Sequence, residues 1–379
     1  MAGPESHRAI DTIWRIESPS LIAALARVTG DVGLAEDFAQ DALVAALERW
    51  PETGVPANPA AWLMASAKNR AIDDLLRLVF TSCHPVLSRE ARVALTLRLL
   101  GGLSTAEIAR AYLVPVATIA QRLVRAKRTL ADAGVPFEVP RAPELGARLA
   151  SVLEVIYLVF NEGYSATAGD DWVRPALCED AMRLGRVVAA LAPGESEALG
   201  LCALMEIQAS RLRARVGPSG EPILLLDQNR ARWDRVLIEH GLAALARAEA
   251  LPGPAGPYLL QAEIAACHAR ARAAEETDWA RIAALYAELA EAAPSPIVEL
   301  NRAIAVGMAE GPAAGLAVVD AIAGHPALAG YHLLPAVRAD LLAKLGRADE
   351  ARAELERAAS LARNARERAL LLERAAALR

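Results

Sequence analysis

Hydrophobic residues recur at helical spacing along the chain, and the sharpest amphipathic pattern follows Pro115. Ile119, Leu123, Ala126 and Leu130 fall on one side of a helix drawn through this segment. The opposite side carries Thr118, Gln121, Arg125 and Arg128. The pattern predicts a helix with one buried face and one basic, hydrogen-bonding face.

Two further helices are predicted before this one. Ser104 and Glu107 have the spacing of a capping box, which predicts a short helix that ends before Pro115. An amphipathic helix is expected over residues 91–100, ahead of the Gly101-Gly102 break. Together the three helices predict a helix-turn-helix whose last helix fits a DNA major groove. The alternative is a packing unit with a solvated basic face. The basic residues that favour DNA contact are Arg98, Arg110, Arg122, Arg125, Lys127 and Arg128.

The remaining pattern is helical as well. Apolar residues make up 54% of the chain and aromatic residues 4%, with alanine dominant, which predicts an all-α fold. A first amphipathic segment runs from Ile10 to Thr29, and Pro19 is expected to divide it. After a Pro-rich stretch, a strongly apolar helix is expected over residues 144–162.

Composition excludes several classes of function. A net charge of -5 argues against a protein that coats nucleic acid through bulk charge, so DNA contact has to be local. The four cysteines are scattered without metal-ligand spacing, so we expect buried thiols, no metal site and no cofactor. Cys83-His84-Pro85 is interpreted as a buried thiol and a turn, and no catalytic residue is assigned. Because no signal core or membrane-length apolar run is present, we expect a cytoplasmic protein without membrane contact.

Two sequence motifs resemble a known family. AEDFAQDALVAAL and PAAWLMASAKNRAID resemble region two of the extracytoplasmic-function (ECF) sigma factors, and TAEIARAYLVPVATIAQRLVRAKRTL resembles their region four. The later segments FNEGYSAT, LLDQNRARWD, TDWARIAALY and NRAIAV resemble the tetratricopeptide (TPR)-like extension of one ECF subgroup. The domains expected are region two at 1–74, region four at 75–133, a linker at 134–143 and a TPR-like helical domain at 144–379.

The resemblance implies roles for particular residues. Asp37, Gln40 and Asp41 are expected to bind the polymerase core, which the family contacts through the β′ clamp helices and the β subunit. Lys68, Asn69 and Arg70 correspond to the helix that opens the upstream promoter element. In region four the DNA-binding residues expected are Thr118, Gln121, Arg122, Arg125, Lys127 and Arg128. Trp62 is interpreted as ordinary core packing.

One departure from the family concerns the connector between the two regions. Family members carry a longer connector, whereas here Ile72 to Leu75 would be the entire linker. At most ~3.6 Å per extended residue cannot separate two DNA-contacting units by about two helical turns. We therefore expect either a deletion or a disordered segment missing from the sequence, and favour the latter.

The C-terminal part carries weak repeats and two polar clusters. Gly346, Ala351, Leu355 and Ala358 fit a TPR unit, and Gly315, Val319 and Ile322 match it 36 residues earlier. The polar clusters are Asn161, Glu162, Tyr164 and Asp171, and Asp227, Gln228, Asn229, Arg232 and Asp234. Helix caps are favoured over a ligand or peptide site for both clusters.

The function expected is a sigma factor that directs RNA polymerase core to promoter DNA. The C-terminal domain is expected to regulate it, through a possible intramolecular contact with the sigma units. The alternative is a helical-repeat interaction or ligand-sensing protein with a DNA-binding-like head.

Overall fold

Helices occupy nearly all of the chain that the computed structural model describes, which is residues 4–29, 32–99, 103–112, 114–140, 142–165 and 172–378. The fold is all-α, as predicted. Among these residues the only β pairing is an isolated antiparallel bridge between Val216 and Pro222. The chain forms two compact units, Met1–Val86 with Thr129–Leu149, and Leu87–Arg128 with Ala150–Arg379.

The first unit is built on three helices, α1 (Pro4–Thr29), α2 (Val32–Thr53) and α3 (Pro59–Ser82). Their apolar faces meet in one core, whose largest fully buried side chain is Trp50. The side chain of Asn58 accepts a hydrogen bond from the Ala61 amide at 3.0 Å and so caps the start of α3. Asparagine is among the residues that best satisfy free amides at a helix start.

Two expectations for this unit differ from the structure. α1 runs through Pro19 without a break, so the predicted division there is wrong. Pro19 is exposed, and we attribute the continuity to water reaching the carbonyl that the proline leaves without a donor. Ile72 to Leu75 lie inside α3, where a connector between regions was expected. The chain therefore passes from the Asn69 helix to Cys83 as one continuous helix.

The second unit begins with α4 (Arg89–Leu99) and α5 (Thr105–Ala111), followed by α6 (Val116–Asp132). α7 (Ala142–Tyr164) begins inside residues 134–143, which were expected to form a linker. The boundary between the two compact units falls within α6 and within α7.

The rest of the second unit is a succession of paired helices. They are α8 (Pro175–Leu191), α9 (Ser196–Ala209), α10 (Arg235–Glu249), α11 (Pro257–Arg270), α12 (Trp279–Ala292), α13 (Pro296–Ala309), α14 (Pro312–Ile322), α15 (Leu333–Lys344), α16 (Ala348–Leu361) and α17 (Ala365–Ala377). α9 packs against α8, α10 and α11, and the later helices pack mainly on their neighbours in sequence. This arrangement gives each helix pair a core shared with the next pair, as in helical repeats.

Small residues allow the last helices to approach closely. A Cβ built on Gly315 of α14 would lie 2.6 Å from the Ala303 carbonyl oxygen of α13. Gly346 has φ of +76°, a left-handed conformation that allows the tight turn between α15 and α16. Ala351, Leu355 and Ala358, which the repeat pattern placed on the inner face, are buried.

Two of the five residues of the second polar cluster, Asn229 and Asp234, cap helices, as we favoured. Asn229 accepts a hydrogen bond from the Ala231 amide at 2.9 Å, and Asp234 accepts from the amides that begin α10 at 3.0 and 3.2 Å. Buried Gln228 donates to the Ile223 carbonyl at 3.1 Å. Asp227 and Arg232 are exposed. Of the first cluster, Asp171 lies outside the described residues.

Candidate nucleic-acid interface

The helix-turn-helix is held together by the predicted capping box. The Glu107 carboxylate accepts from the Ser104 amide at 2.7 Å, and the Ser104 hydroxyl accepts from the Glu107 amide at 3.2 Å. This reciprocal pair satisfies two free amides at the start of α5 and sets the angle at which the chain enters that helix. The turn at Pro115 then leads into α6.

α6 separates its faces as the sequence predicted. Ile119, Leu123 and Ala126 are buried. On the other side Gln121, Arg125, Lys127 and Arg128 are exposed, and Thr118 and Arg122 are half-buried. The exposed side chains offer the donors and acceptors that match base edges and phosphates in a major groove.

A groove of about 520 Å³ runs along α3 in the first unit. Asn69, Arg70 and Trp62 line it, together with residues that sequence reasoning missed, Arg49, Ser66, Asp74 and Arg77. Ser66, Asp74 and Arg77 lie one or two helical turns from Arg70 on α3, and Arg49 lies on α2. They share a surface because the two helices pack together, which sequence periodicity does not predict. Lys68 is exposed on α3 but does not line the groove.

Trp62 has a part in both the core and this groove. Its ring packs edge-on against Trp50, with ring centroids 5.2 Å apart. The other side of Trp62 faces the groove, so the interpretation as ordinary core packing was incomplete. An aromatic ring beside arginine and asparagine gives a surface on which an unstacked base can lie.

The residues expected to bind polymerase lie on α2. Asp37 and Gln40 are exposed, and Asp41 is half-buried. The Asp41 carboxylate forms an ion pair with Arg70 Nε at 3.1 Å, so a residue assigned to polymerase and one assigned to DNA are paired with each other. This ion pair couples α2 to the wall of the α3 groove.

In the second unit, α4 is tied to α7 by an ion-pair cluster. Arg89 Nε donates to Glu154 Oε1 at 2.9 Å, and Arg92 donates to Glu154 Oε2 at 3.3 Å. Arg92 also donates to the Ser151 hydroxyl. Arg92 is only 14% exposed, so this contact is better shielded from solvent than an ordinary surface pair. The first of the three helices, α4, is therefore anchored on α7.

Glu162 and Tyr164 of the first polar cluster also have internal partners. Glu162 is buried and pairs with Arg174. The Tyr164 ring lies under the Arg215 guanidinium, 3.8 Å from its centroid, and stacks on Phe160. Asn161 is exposed. These contacts favour a structural role for the two buried groups.

Chemistry of an enzymatic kind has little support in the described residues. They contain no group of His, Cys, Asp and Glu that could hold a metal ion. Burial raises the pKa of the Cys178 and Cys202 thiols to about 12, which leaves them unreactive. Cys83 is buried as well, and the following His84 ring accepts from the Val86 amide in a turn, as predicted. None of the described helices has the length and apolarity to cross a membrane.

Comparisons with known proteins agree with the geometry. Residues 14–79 match Sigma-70 region 2, and residues 77–130 match Sigma-70, region 4. Residues 148–249 match DUF6596, a family of unknown function. No solved structure matches the chain.

A full-length relative is known from Rhizobium meliloti (strain 1021), where it is an uncharacterized protein. The two are 42% identical over 391 residues, which cover 93% of this chain and 92% of the relative. The aligned span exceeds the 379 residues of this chain, so the relative carries residues without a counterpart here. This chain belongs to the same family as the Rhizobium meliloti protein, and its matches to Sigma-70 regions 2 and 4 support an RNA polymerase sigma factor.

Proposed function

We propose that the chain is an ECF-type sigma factor with a TPR-like regulatory tail. Region two would bind the polymerase core and the upper promoter bubble, and region four would read the minus-thirty-five element in the cytoplasm. The observation that carries this proposal is the exposed basic face of α6 opposite its buried face. A helix of this kind inside a capped helix-turn-helix is the usual reader of a major groove.

The α3 groove supports a role of region two in the bubble. Opening a promoter exposes bases that have to be held outside the stack, at a cost of a few kcal/mol. Trp62 offers a stacking surface, Asn69 offers hydrogen bonds, and Arg70 with Arg77 offers charge for the phosphates. The exposed acidic face of α2, with Asp37 and Gln40, would bind the polymerase.

The anchored α4 supports a bracing role for the C-terminal helices. Arg125 and Arg128 are exposed, which argues against a tail that masks them. Glu154 instead forms ion pairs with Arg89 and Arg92 of α4. These ion pairs do not involve the exposed basic face of α6. We infer that the tail holds the helix-turn-helix in a DNA-competent arrangement and so assists transcription.

Run-off transcription with core polymerase tests the proposal. The full-length chain should initiate at a cognate promoter and should co-purify with the β′ subunit. A truncated chain ending at Pro140 should bind core polymerase but initiate less. Failure of the full-length chain to bind core polymerase would favour the alternative, a helical-repeat interaction protein with a DNA-binding-like head.

A further inference from the structure

A pocket of about 450 Å³ opens inside the second compact unit. Its apolar lining comes from α4, α5, α6 and α7, through Val93, Ala94, Ile108, Ile119 and Leu158, and Leu333 adds to it from α15. Small-molecule sites in proteins commonly have volumes of about 300 to 1,000 Å³ and mostly apolar linings. None of the functions discussed above assigns a ligand to this pocket.

Two hydroxyl groups of lining residues, those of Tyr112 and Tyr164, have no hydrogen-bond partner among the described residues. The Tyr112 hydroxyl is buried and makes no hydrogen bond to any described residue. Burial raises the pKa of Tyr112, and the nearby Glu162 charge raises it further, so the hydroxyl stays protonated and can donate. Leaving such a group unsatisfied costs about 1 to 3 kcal/mol. An acceptor atom on a bound molecule would remove this cost.

The charges around the pocket favour an anionic ligand. Glu162 is already paired with Arg174. Arg122 of α6 lines the pocket and makes no hydrogen bond or ion pair within the described residues. Its charge helps to lower the pKa of Glu90, although the Glu90 amide and the Ser88 hydroxyl contribute more. Because Glu90 is ionised and also lines the pocket, the site suits a single negative charge better than two.

We propose that this pocket binds a small monoanionic molecule with an apolar or aromatic body. Its acidic group lies at Arg122, and an acceptor atom takes the Tyr112 hydroxyl proton in a hydrogen bond. Because α6 supplies Arg122 and Ile119 while α7 supplies Leu158, an occupied pocket stabilises the helix-turn-helix on α7. Arg122 is thereby assigned to this pocket and not to DNA, and dye binding can be measured whether or not the sigma proposal holds.

Two fluorescent dyes of matched shape test the site on the full-length chain. Anilinonaphthalenesulfonate is an aromatic monoanion, and phenylnaphthylamine is its uncharged parent. We expect one equivalent of the charged dye to bind with enhanced fluorescence. Arg122→Gln should weaken the affinity for the charged dye by about tenfold, the value of one lost charge-assisted hydrogen bond. The affinity for the neutral dye should stay nearly unchanged.

Matched substitutions locate the bound dye. Leu333 lines the pocket and Leu345 does not, and both are 37% exposed. Leu333→Trp should obstruct the pocket and lower the affinity for both dyes, whereas Leu345→Trp should lower the affinity for neither. Equal binding by these two variants, no stoichiometric binding at all, or an equal loss of both dyes in Arg122→Gln would overturn the proposal.

A third variant gives a readout that does not depend on filling the pocket. Tyr112→Phe removes the unsatisfied hydroxyl, so the free chain should gain thermal stability while its affinity for the charged dye falls. A variant that lost stability and kept its dye affinity would show that the hydroxyl has another partner and would contradict the assigned role.

Discussion

Arg70 Nε of α3 lies 3.1 Å from the Asp41 carboxylate of α2, and the two side chains form an ion pair. The two side chains are 53% and 44% exposed, so the pair contributes only about 0 to 1 kcal/mol to folding. The ion pair has a larger effect on the binding of nucleic acid than on folding, because Asp41 competes with phosphate for the Arg70 guanidinium. The pair therefore links the polymerase-facing helix to the nucleic-acid groove.

Asp41→Asn should strengthen binding to single-stranded DNA. The substitution frees Arg70 for a phosphate, so we expect affinity to rise about two- to tenfold at low salt and the salt dependence to steepen by up to one counterion. Fluorescence anisotropy with a labelled oligonucleotide, measured across a salt series, would record both quantities.

Asp37→Asn is the matched control, because it removes the same charge from an exposed site on α2 that forms no ion pair with another described residue. A smaller effect of Asp37→Asn would assign the gain to Arg70. Equal effects of the two variants would mean that only the net charge of the chain matters.

Reversing the charge at Asp37 should prevent assembly with core polymerase. The side chain is exposed, so Asp37→Arg should leave the unfolding temperature near that of the parent while placing a positive charge at the expected interface. Competition for core polymerase against the unmodified chain measures the loss. Glu36→Arg, which makes the same change on an adjacent exposed position of α2, should compete far better. Normal competition by Asp37→Arg would leave this face as solvated surface.

Local rules predicted the helix-turn-helix well. The capping box between Ser104 and Glu107 and the buried side of α6 follow from residues within a few turns of each other, and both are present. The continuous α1 was missed because the effect of Pro19 depends on whether the residue faces solvent. Helical propensity alone does not give that orientation.

Contacts between distant segments could not be predicted from periodicity. No sequence pattern links Arg89 and Arg92 to Glu154, which belongs to a separate, strongly apolar helix. Their pairing joins positions more than 60 residues apart in sequence. The pocket beside them was missed for the same reason, because five helices supply its lining.

Glu154→Gln should loosen α4. The variant removes the charge that holds Arg89 and Arg92, and we expect the free energy of unfolding to fall by about 1 to 3 kcal/mol, with the lower part of the range favoured because Arg89 is largely exposed. Hydrogen exchange at the amides of residues 89–99 should become faster. Glu239→Gln, at an exposed site on α10, should change neither quantity. Unchanged exchange in Glu154→Gln would remove the bracing claim.

His268 should make stability dependent on pH. Burial, with the charges of Arg211 and Arg230, lowers the pKa of His268 to about 3. The folded chain therefore keeps this ring neutral between pH 3 and its ordinary pKa of 6.5, while the unfolded chain binds a proton. Stability from this group is fully present above pH 6.5 and falls as the pH drops, by at most about 1.4 kcal/mol per pH unit.

Urea unfolding at pH 7 and pH 5 would measure this loss. His268→Phe keeps a ring beside Trp279, whose centroid lies 5.2 Å from that of His268, but cannot bind a proton. The parent should lose more stability than this variant between the two pH values. Identical losses would mean that other groups cause the acid sensitivity.

The recognition helix allows base reading and phosphate binding to be separated. Arg125 and Lys127 are both exposed on α6, about two residues apart and hence on different sides of the helix. Arg125→Ala should weaken binding to a cognate minus-thirty-five element by about 1 to 3 kcal/mol and relax the preference at one base pair. Lys127→Ala should weaken all sequences alike and lower the salt slope by about one. Fluorescence anisotropy of labelled cognate and scrambled duplexes, titrated with holoenzyme, measures the loss of affinity and the salt slope. An equal loss on the two duplexes for Arg125→Ala would assign that residue to the phosphate backbone, and direct reading would then have to come from Gln121.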